Sequence, residues 1–241
     1  MRTVGRWLLL VVLALLALQV FFIGRIALMA VLAPQSTTFQ RSEAWRLASS
    51  GSLRWSQRWL PYDEISDSLK RAVIASEDDD FINHDGVEWE AIEQAWARNT
   101  KAEEAAAKRA EKNLPARPMK IRGGSTITQQ LAKNLLLSGE RTLLRKGQEL
   151  VLTYTLEQLL SKRRILEIYL NNVEWGEGVF GAEAAAQHYF RKSASRLSAY
   201  EAARLAVMLP RPRYFEKVPR SSYLDHRARV IVGRMRAADL P

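Results

Sequence analysis

The sequence predicts a mainly α-helical chain, with one membrane-spanning helix at the N-terminus and a helical domain behind it. Three observations lead there. Residues 1–33 hold Arg2, Arg6 and Arg25, no acid, and otherwise almost only apolar side chains. From Pro61 onward apolar residues recur at helical spacing nearly throughout. No stretch alternates convincingly over several residues, so at most a small sheet is expected.

The first element is Trp7–Ile23, 17 residues with a single amide, Gln19. As a helix it covers roughly 26 Å of a hydrocarbon core about 30 Å thick, and continuing to Leu32 lets it cross. Arg25 then snorkels at the far interface while Arg2 and Arg6 stay cytoplasmic. A cleaved signal peptide is the alternative, but the apolar run exceeds the usual signal core. Residues 34–60, rich in Ser, Gln and Arg with interspersed Trp, show no sustained period. They are expected as a membrane-proximal tether.

The remaining chain, residues 61–241, reads as one domain. Ile65, Leu69, Ala72, Val73 and Ser76 mark a helix ending at the acidic run Glu77–Asp80. Asp85 and Glu88 form a capping-box pattern for a helix with Trp89, Ile92 and Trp96 on one stripe. Residues 100–118 are Ala/Lys/Glu-rich with no apolar face and are expected as a solvated helix or mobile insertion. Ser125 or Thr126 can cap a helix carrying Ile127, Leu131 and Leu135. Leu143–Leu160 is the next helix, and Ser161 opens another through Tyr169. Asn171–Gly181 is expected as a glycine-rich loop, Ser198 and Glu201 cap a helix that Pro210 stops, and Tyr223–Ala237 is a basic final helix.

Composition narrows the chemistry. The 36 Lys+Arg and 26 Asp+Glu give a net charge of +10, of which residues 34–241 hold 33 of the bases and all the acids. There is no Cys, which excludes disulfides, thiolate catalysis and Cys-ligated zinc. The three histidines, His84, His188 and His226, are too far apart for a local metal motif.

Three polar clusters remain. Glu77 follows an apolar helix, where a cleft wall could desolvate it and raise its pKa toward base duty; a solvated acidic turn is the commoner meaning of such a run, followed by a carboxylate metal site. Gly123–Asn134 (GGSTITQQLAKN) combines two glycines with a helix N-terminus of the kind that attracts anions, and Gln129, Gln130, Lys133 and Asn134 add donors. It lacks the ending of a phosphate-binding Walker loop. Arg145, Lys146 and Glu149 share one side of a helix, with Arg141 a turn back. They read either as a surface pair or as a cationic cradle for pyrophosphate.

Taken in order, IASEDDDFINHDG (74–86), GGSTITQQLAKN (123–134), RKGQELVLTYTLE (145–157), KRRILEIYLNNVEWGEGVFGAEAAAQHYF (162–190) and LSAYEAARLAVMLPRP (197–212) resemble the peptidoglycan glycosyltransferases, and most closely their monofunctional Gram-negative type. No S-x-x-K or K-T-G of a penicillin-reactive module is present. The resemblance implies a lysozyme-like, mostly helical fold that polymerises lipid II at the outer face of the cytoplasmic membrane, with inversion to a β-1,4 linkage. It makes Glu77 the general base, Glu149 the second essential glutamate, and Lys133, Arg141, Arg145 and Lys146 the groups facing the leaving pyrophosphate. Asp78, Phe81, His84, Gly124, Ser125, Thr126, Gln129, Gln130 and Asn134 fall on motif positions that shape the sites. No organic cofactor is implied, but a divalent cation (Mg or Mn) assists the pyrophosphate in at least some members. The implied partners are lipid II, the growing glycan strand, the cytoplasmic membrane and other cell-wall synthesis proteins, with no nucleic acid.

Two departures from the family pattern stand out: Arg191 where glycine is common, and the 100–118 insertion. The rival readings are a lytic muramidase and a membrane-tethered wall-binding scaffold. The first leaves the cations without a purpose, the second the clustered Glu77, Gln130 and Glu149.

Overall fold

A computed structural model describes residues 2–111, 124–140 and 142–241. Gly123, Arg141 and residues 112–118 of the expected insertion therefore lie outside the described residues. The chain is mainly helical, as expected, with one three-stranded sheet of very short strands.

Helix α1 (Arg2–Met29) is long and apolar enough, over Thr3–Met29, to cross a membrane. Its N-terminal part is exposed on all sides, whereas Ile26 and Met29 are buried in the core of the domain that follows. Arg164 fixes this end by donating to the carbonyl of Met29 at 2.7 Å.

Residues 34–60, expected as a membrane-proximal tether with no sustained period, hold a helix and a short strand. Thr37 and Gln40 form a reciprocal capping box that starts helix α2 (Thr38–Ser49). Leu47, Thr37 and Gln40 are buried, and Thr38 Oγ1 donates to the carbonyl of Leu135 at 3.0 Å. Strand β1 (Ser56–Gln57) then pairs parallel to β3 (Val179–Phe180), which pairs antiparallel with β2 (Glu174–Gly176). Trp55 stacks on Phe180 with ring centroids 4.5 Å apart. The expected glycine-rich loop at 171–181 is thus largely a tight hairpin. Its turn residue Gly178 has φ +73°, and a Cβ there would lie 2.0 Å from the carbonyl oxygen of Arg54, so no side chain fits where β1 enters.

Helix α3 (Asp67–Glu77) is capped by Ser66, whose hydroxyl accepts from the N–H of Leu69. It packs against α9 (Ala199–Met208) and α11 (Ser222–Arg234). Helix α4 (Trp89–Glu111) begins later than the Asp85 cap predicted, and its first backbone bond runs to the carbonyl of Glu88. The stripe of Trp89 and Trp96 does not pack inward, since the two rings are 61% and 74% exposed. Periodicity placed them on one face but could not say which way it points. The helix runs on to residue 111, and over 100–109 its side chains are mostly exposed, the solvated-helix alternative for that stretch.

A second group of helices surrounds α5 (Ile127–Leu136): α6 (Leu143–Leu159), α7 (Lys162–Asn172) and, on its other side, α2. Ile127, Leu131 and Leu135 are buried at the expected spacing, against Leu152, Leu156, Ile165 and Tyr169. Helix α8 (Ala182–Phe190) ends on Arg191, which adopts φ +54°, ψ +38°, the left-handed conformation that explains why glycine is common at this position. A short α10 (Pro212–Lys217), with proline in its first turn, precedes α11.

Candidate active site

Glu77 is the last residue of α3 and is partly buried. Its Oε2 accepts from Gln130 Nε2 at 2.9 Å, and Gln130 Oε1 accepts from the hydroxyl of Tyr169 at 3.0 Å. This chain fixes which end of the Gln130 amide faces the carboxylate. Burial pushes the Glu77 pKa above the ordinary carboxylate range; the bond from Gln130 opposes the shift and the charge of Asp78 adds to it. Tyr169, buried against the same carboxylates, is pushed further up and stays a donor.

Asp78 is not part of a solvated acidic turn. It is buried, and its Oδ2 accepts from the N–H of Ile127, the first residue of α5, at 2.8 Å. The N–H of Gly86 donates to His84 Nδ1 at 3.0 Å, which leaves Nε2 to donate to Asp78 Oδ1 at 2.8 Å. Burial alone would lower the His84 pKa, but the bond and charge of Asp78 outweigh it and the pKa ends raised. The anion attracted by the α5 N-terminus is the protein's own carboxylate. Asp79 pairs with Arg234 and Asp80 accepts from Asn83, so the rest of the run is committed as well.

Thr126 and Gln129 are occupied likewise: Thr126 caps α5 and Gln129 closes the capping box. Thr126 Oγ1 also bonds the carbonyl of Gly86 at 2.6 Å, tying the His84 turn to α5. Gly124 lets α4 approach, because a Cβ there would stand 3.0 Å from the carbonyl oxygen of Ala91. Phe81 is wholly buried, with Lys162 4.7 Å above its ring, and contributes packing under the site.

Beside Gln130 opens a cavity of about 710 Å³. Ser125, Lys133 and Asn134 line it from α5 and its approach, and Arg145, Lys146 and Glu149 from α6. Glu149 is no surface partner, since its side chain is only 4% exposed and accepts from Arg145 NH1 at 2.8 Å and from Lys146 Nζ. Arg145 Nε is buried and has no acceptor among the described residues. Lys133 keeps much of its side chain open to solvent, yet its ammonium stands in a crowded wall: desolvation lowers its pKa, Arg145 and Lys146 lower it further, and Glu149 opposes them. On the α5–α6 side three cations stand against Glu149; Glu43, Glu140 and Glu174 line the rest of the cavity, with Glu43 and Glu174 paired to Arg213.

Glu77 faces a second cavity, of about 400 Å³, lined also by Asp79, Glu88, Arg98 and Arg234. Ser125 lines both cavities, and the Gln130–Glu77 bond joins the wall of one to the wall of the other. Here burial and the neighbouring Asp78 and Asp79 raise the pKa of Glu88.

Of the residues expected at the site, Glu77, Gln130, Ser125, Lys133, Asn134, Arg145, Lys146 and Glu149 come together at the cavities. Asp78, Gly124 and Thr126 also line the smaller cavity and Gln129 the larger one, each while holding the scaffold together, and His84 stands behind them. The sequence reading missed Tyr169, the α2 residues Thr38 and Glu43 on the cavity wall, and Glu174 held by Arg213 at 2.8 Å. The signal for α2 was present as the T-x-x-Q of Thr37–Gln40. Among the described residues no three His, Asp or Glu side chains gather as metal ligands.

A buried carboxylate of raised pKa, facing a polar cavity and standing beside a wall that carries Lys133, Arg145 and Lys146, gives the site the parts of a helical group-transfer enzyme. The chain belongs to the Transglycosylase family, whose profile matches residues 46–236, and with it to that family's lysozyme-like fold. It is 53% identical to a biosynthetic peptidoglycan transglycosylase of Paraburkholderia phytofirmans, over 96% of this chain and 90% of the relative. It is similar to proteins of the same name from Burkholderia thailandensis (55% identical, 95% and 84%) and Burkholderia pseudomallei (53% identical, 100% and 90%).

Proposed function

We infer that the protein is a peptidoglycan glycosyltransferase that polymerises lipid II into β-1,4-linked glycan strands and releases undecaprenyl pyrophosphate. The observation that carries this reading is Glu77, shifted by burial, standing across Gln130 from the cavity of Lys133, Arg145 and Lys146.

In this reading the acceptor sugar enters beside Glu77 from the smaller cavity. The carboxylate takes the proton of its 4-hydroxyl as that oxygen bonds to C1 of the donor sugar, and the bond from C1 to the phosphate oxygen breaks on the opposite face. A positioned base of this kind contributes on the order of 10²–10⁴ in rate. The pyrophosphate gains charge as it leaves, so the fixed cations stabilise the transition state more than the ground state. Arg145 and Lys146 border the cavity that receives it. Glu149 orders Arg145 and Lys146 into one cradle. Cleavage of existing strands would use no such cations.

Helix α1 serves as a single-pass anchor in the cytoplasmic membrane, with its N-terminus in the cytoplasm and the catalytic domain in the periplasm, where lipid-linked substrate, the growing strand and other cell-wall synthesis proteins meet. The test is incubation of the membrane-bound full chain with labelled lipid II. Long strands and free undecaprenyl pyrophosphate are expected; shortening of preformed strands without polymer would overturn the assignment.

A further inference from the structure

Gln19 is the one amide within the apolar run Trp7–Ile23, and it is not left alone. Its Nε2 donates to Gln148 Oε1 at 3.0 Å, and Gln148 Nε2 returns the bond to Gln19 Oε1 at 3.1 Å. Gln19 also begins the stripe along which α1 meets the domain. Residues 3–18 are exposed on every side, whereas Gln19, Phe22, Arg25, Ile26 and Met29 are covered in part or whole. Those spacings form one helical face.

The arithmetic of the span places this pair inside the bilayer. The fully exposed residues 3–18 rise only about 24 Å as helix, short of the roughly 30 Å hydrocarbon core. With Arg2 and Arg6 held at the inner interface, a core entered at Trp7 is left near Ile26, after roughly 20 residues. Gln19 is then about 18 Å up from the entry, within the outer leaflet. Gln148 must be at the same depth. The α6 surface around it agrees: Leu144, Gln148 and Val151 lie on one stripe, with Leu144 86% and Val151 49% exposed, and Leu143 beside them is 92% exposed. The cavity-lining residues Arg145 and Glu149 point from α6 in another direction.

We propose that Gln19 and Gln148 form an intramembrane amide clasp that fixes the rotation and depth of the anchor against α6. An amide in hydrocarbon without a partner is costly, so the pair holds one register of α1 on α6 and excludes its neighbours. Both residues are positioning residues. By setting the level of α6 they place the wall of Lys133, Arg145 and Lys146 where a lipid-linked diphosphate emerges from the outer leaflet. The proposal rests on α1 spanning the membrane and, for its effect on activity, on the glycosyltransferase reading.

The chain has no cysteine, so paired substitutions report without background. Gln19→Cys with Gln148→Cys is expected to cross-link as a disulfide when native membranes are oxidised with iodine, which partitions into the bilayer. Phe21→Cys, on the opposite face of α1, with Gln148→Cys is expected not to. Equal cross-linking of both pairs would overturn the clasp. In kinetics with lipid II in vesicles, Gln19→Leu and Gln148→Leu each leave a lone amide. Each should raise the apparent KM several-fold with kcat within about twofold, and the double substitution should be no worse than either single one. Single effects that multiply in the double variant would refute the pairing. Wild-type chain extracted from membranes by alkaline wash would instead refute the anchor. A membrane-bound wild type that makes no polymer would refute the enzymatic reading and leave the cross-link to decide the clasp.

Discussion

Glu77→Gln should destroy activity and stabilise the fold at the same time. The amide is nearly isosteric and keeps an oxygen to accept from Gln130 Nε2, now 2.9 Å from the carboxylate, so the local geometry survives. Loss of the base should cost on the order of 10²–10⁴ in polymerisation rate, about 3–5 kcal/mol of barrier. The stability effect follows from the raised pKa. Burial favours the protonated carboxyl in the folded protein, so wild-type Glu77 contributes fully below the unfolded-state value near 4.5 and loses that contribution as pH rises through the higher folded value. Glutamine cannot ionise. The variant should therefore melt above the wild type at pH 7 and converge with it near pH 4. Thermal unfolding across pH 4–8, run on the preparations used for lipid II polymerisation, reads both effects. Retained polymerisation would refute the base role, and a lower melting temperature at pH 7 would refute the electrostatic argument.

Two further outcomes are expected. Lys133→Ala and Arg145→Ala should each weaken use of the diphosphate-linked donor at least tenfold, measured as KM. Lys133→Ala should shift stability by no more than about 0.5 kcal/mol, because that side chain is exposed and makes no ion pair or hydrogen bond among the described residues; melting that collapses alongside activity would favour a structural role. Arg191→Gly removes a side chain from a left-handed residue and should stabilise by about 0.5–1 kcal/mol net of glycine's extra unfolded-state entropy, or roughly 1–4 °C in Tm by calorimetry.

The helices of the domain were legible where local chemistry settles them. Ser198 and Glu201 close the capping box expected of them, and the choice between Ser125 and Thr126 falls to Thr126 because Gln129 stands three residues on. Features that depend on distant partners were not. Helix α2 has few apolar residues, and its fixed points, the carbonyl of Leu135 and the ring of Phe180, lie far along the chain. The outward turn of Trp89 and Trp96 depends on what α4 packs against. At the site, the residue types were readable from the motifs, but the bond that orients Glu77 joins positions 53 apart. That the α5 N-terminus is filled by Asp78 is also a fact of tertiary structure, since the sequence alone allows an outside anion there.

The wall that α2 lends to the larger cavity changes where the enzyme begins. Thr38, Phe39, Ser42 and Glu43 border the same space as Lys133 and Arg145, although they lie ahead of the first residue matched by the family profile. Trimming the chain to a water-soluble version starting at residue 61 would take off the membrane helix and breach the substrate cleft in the same cut. A version meant to keep an intact cleft has to retain Thr37 and its cap.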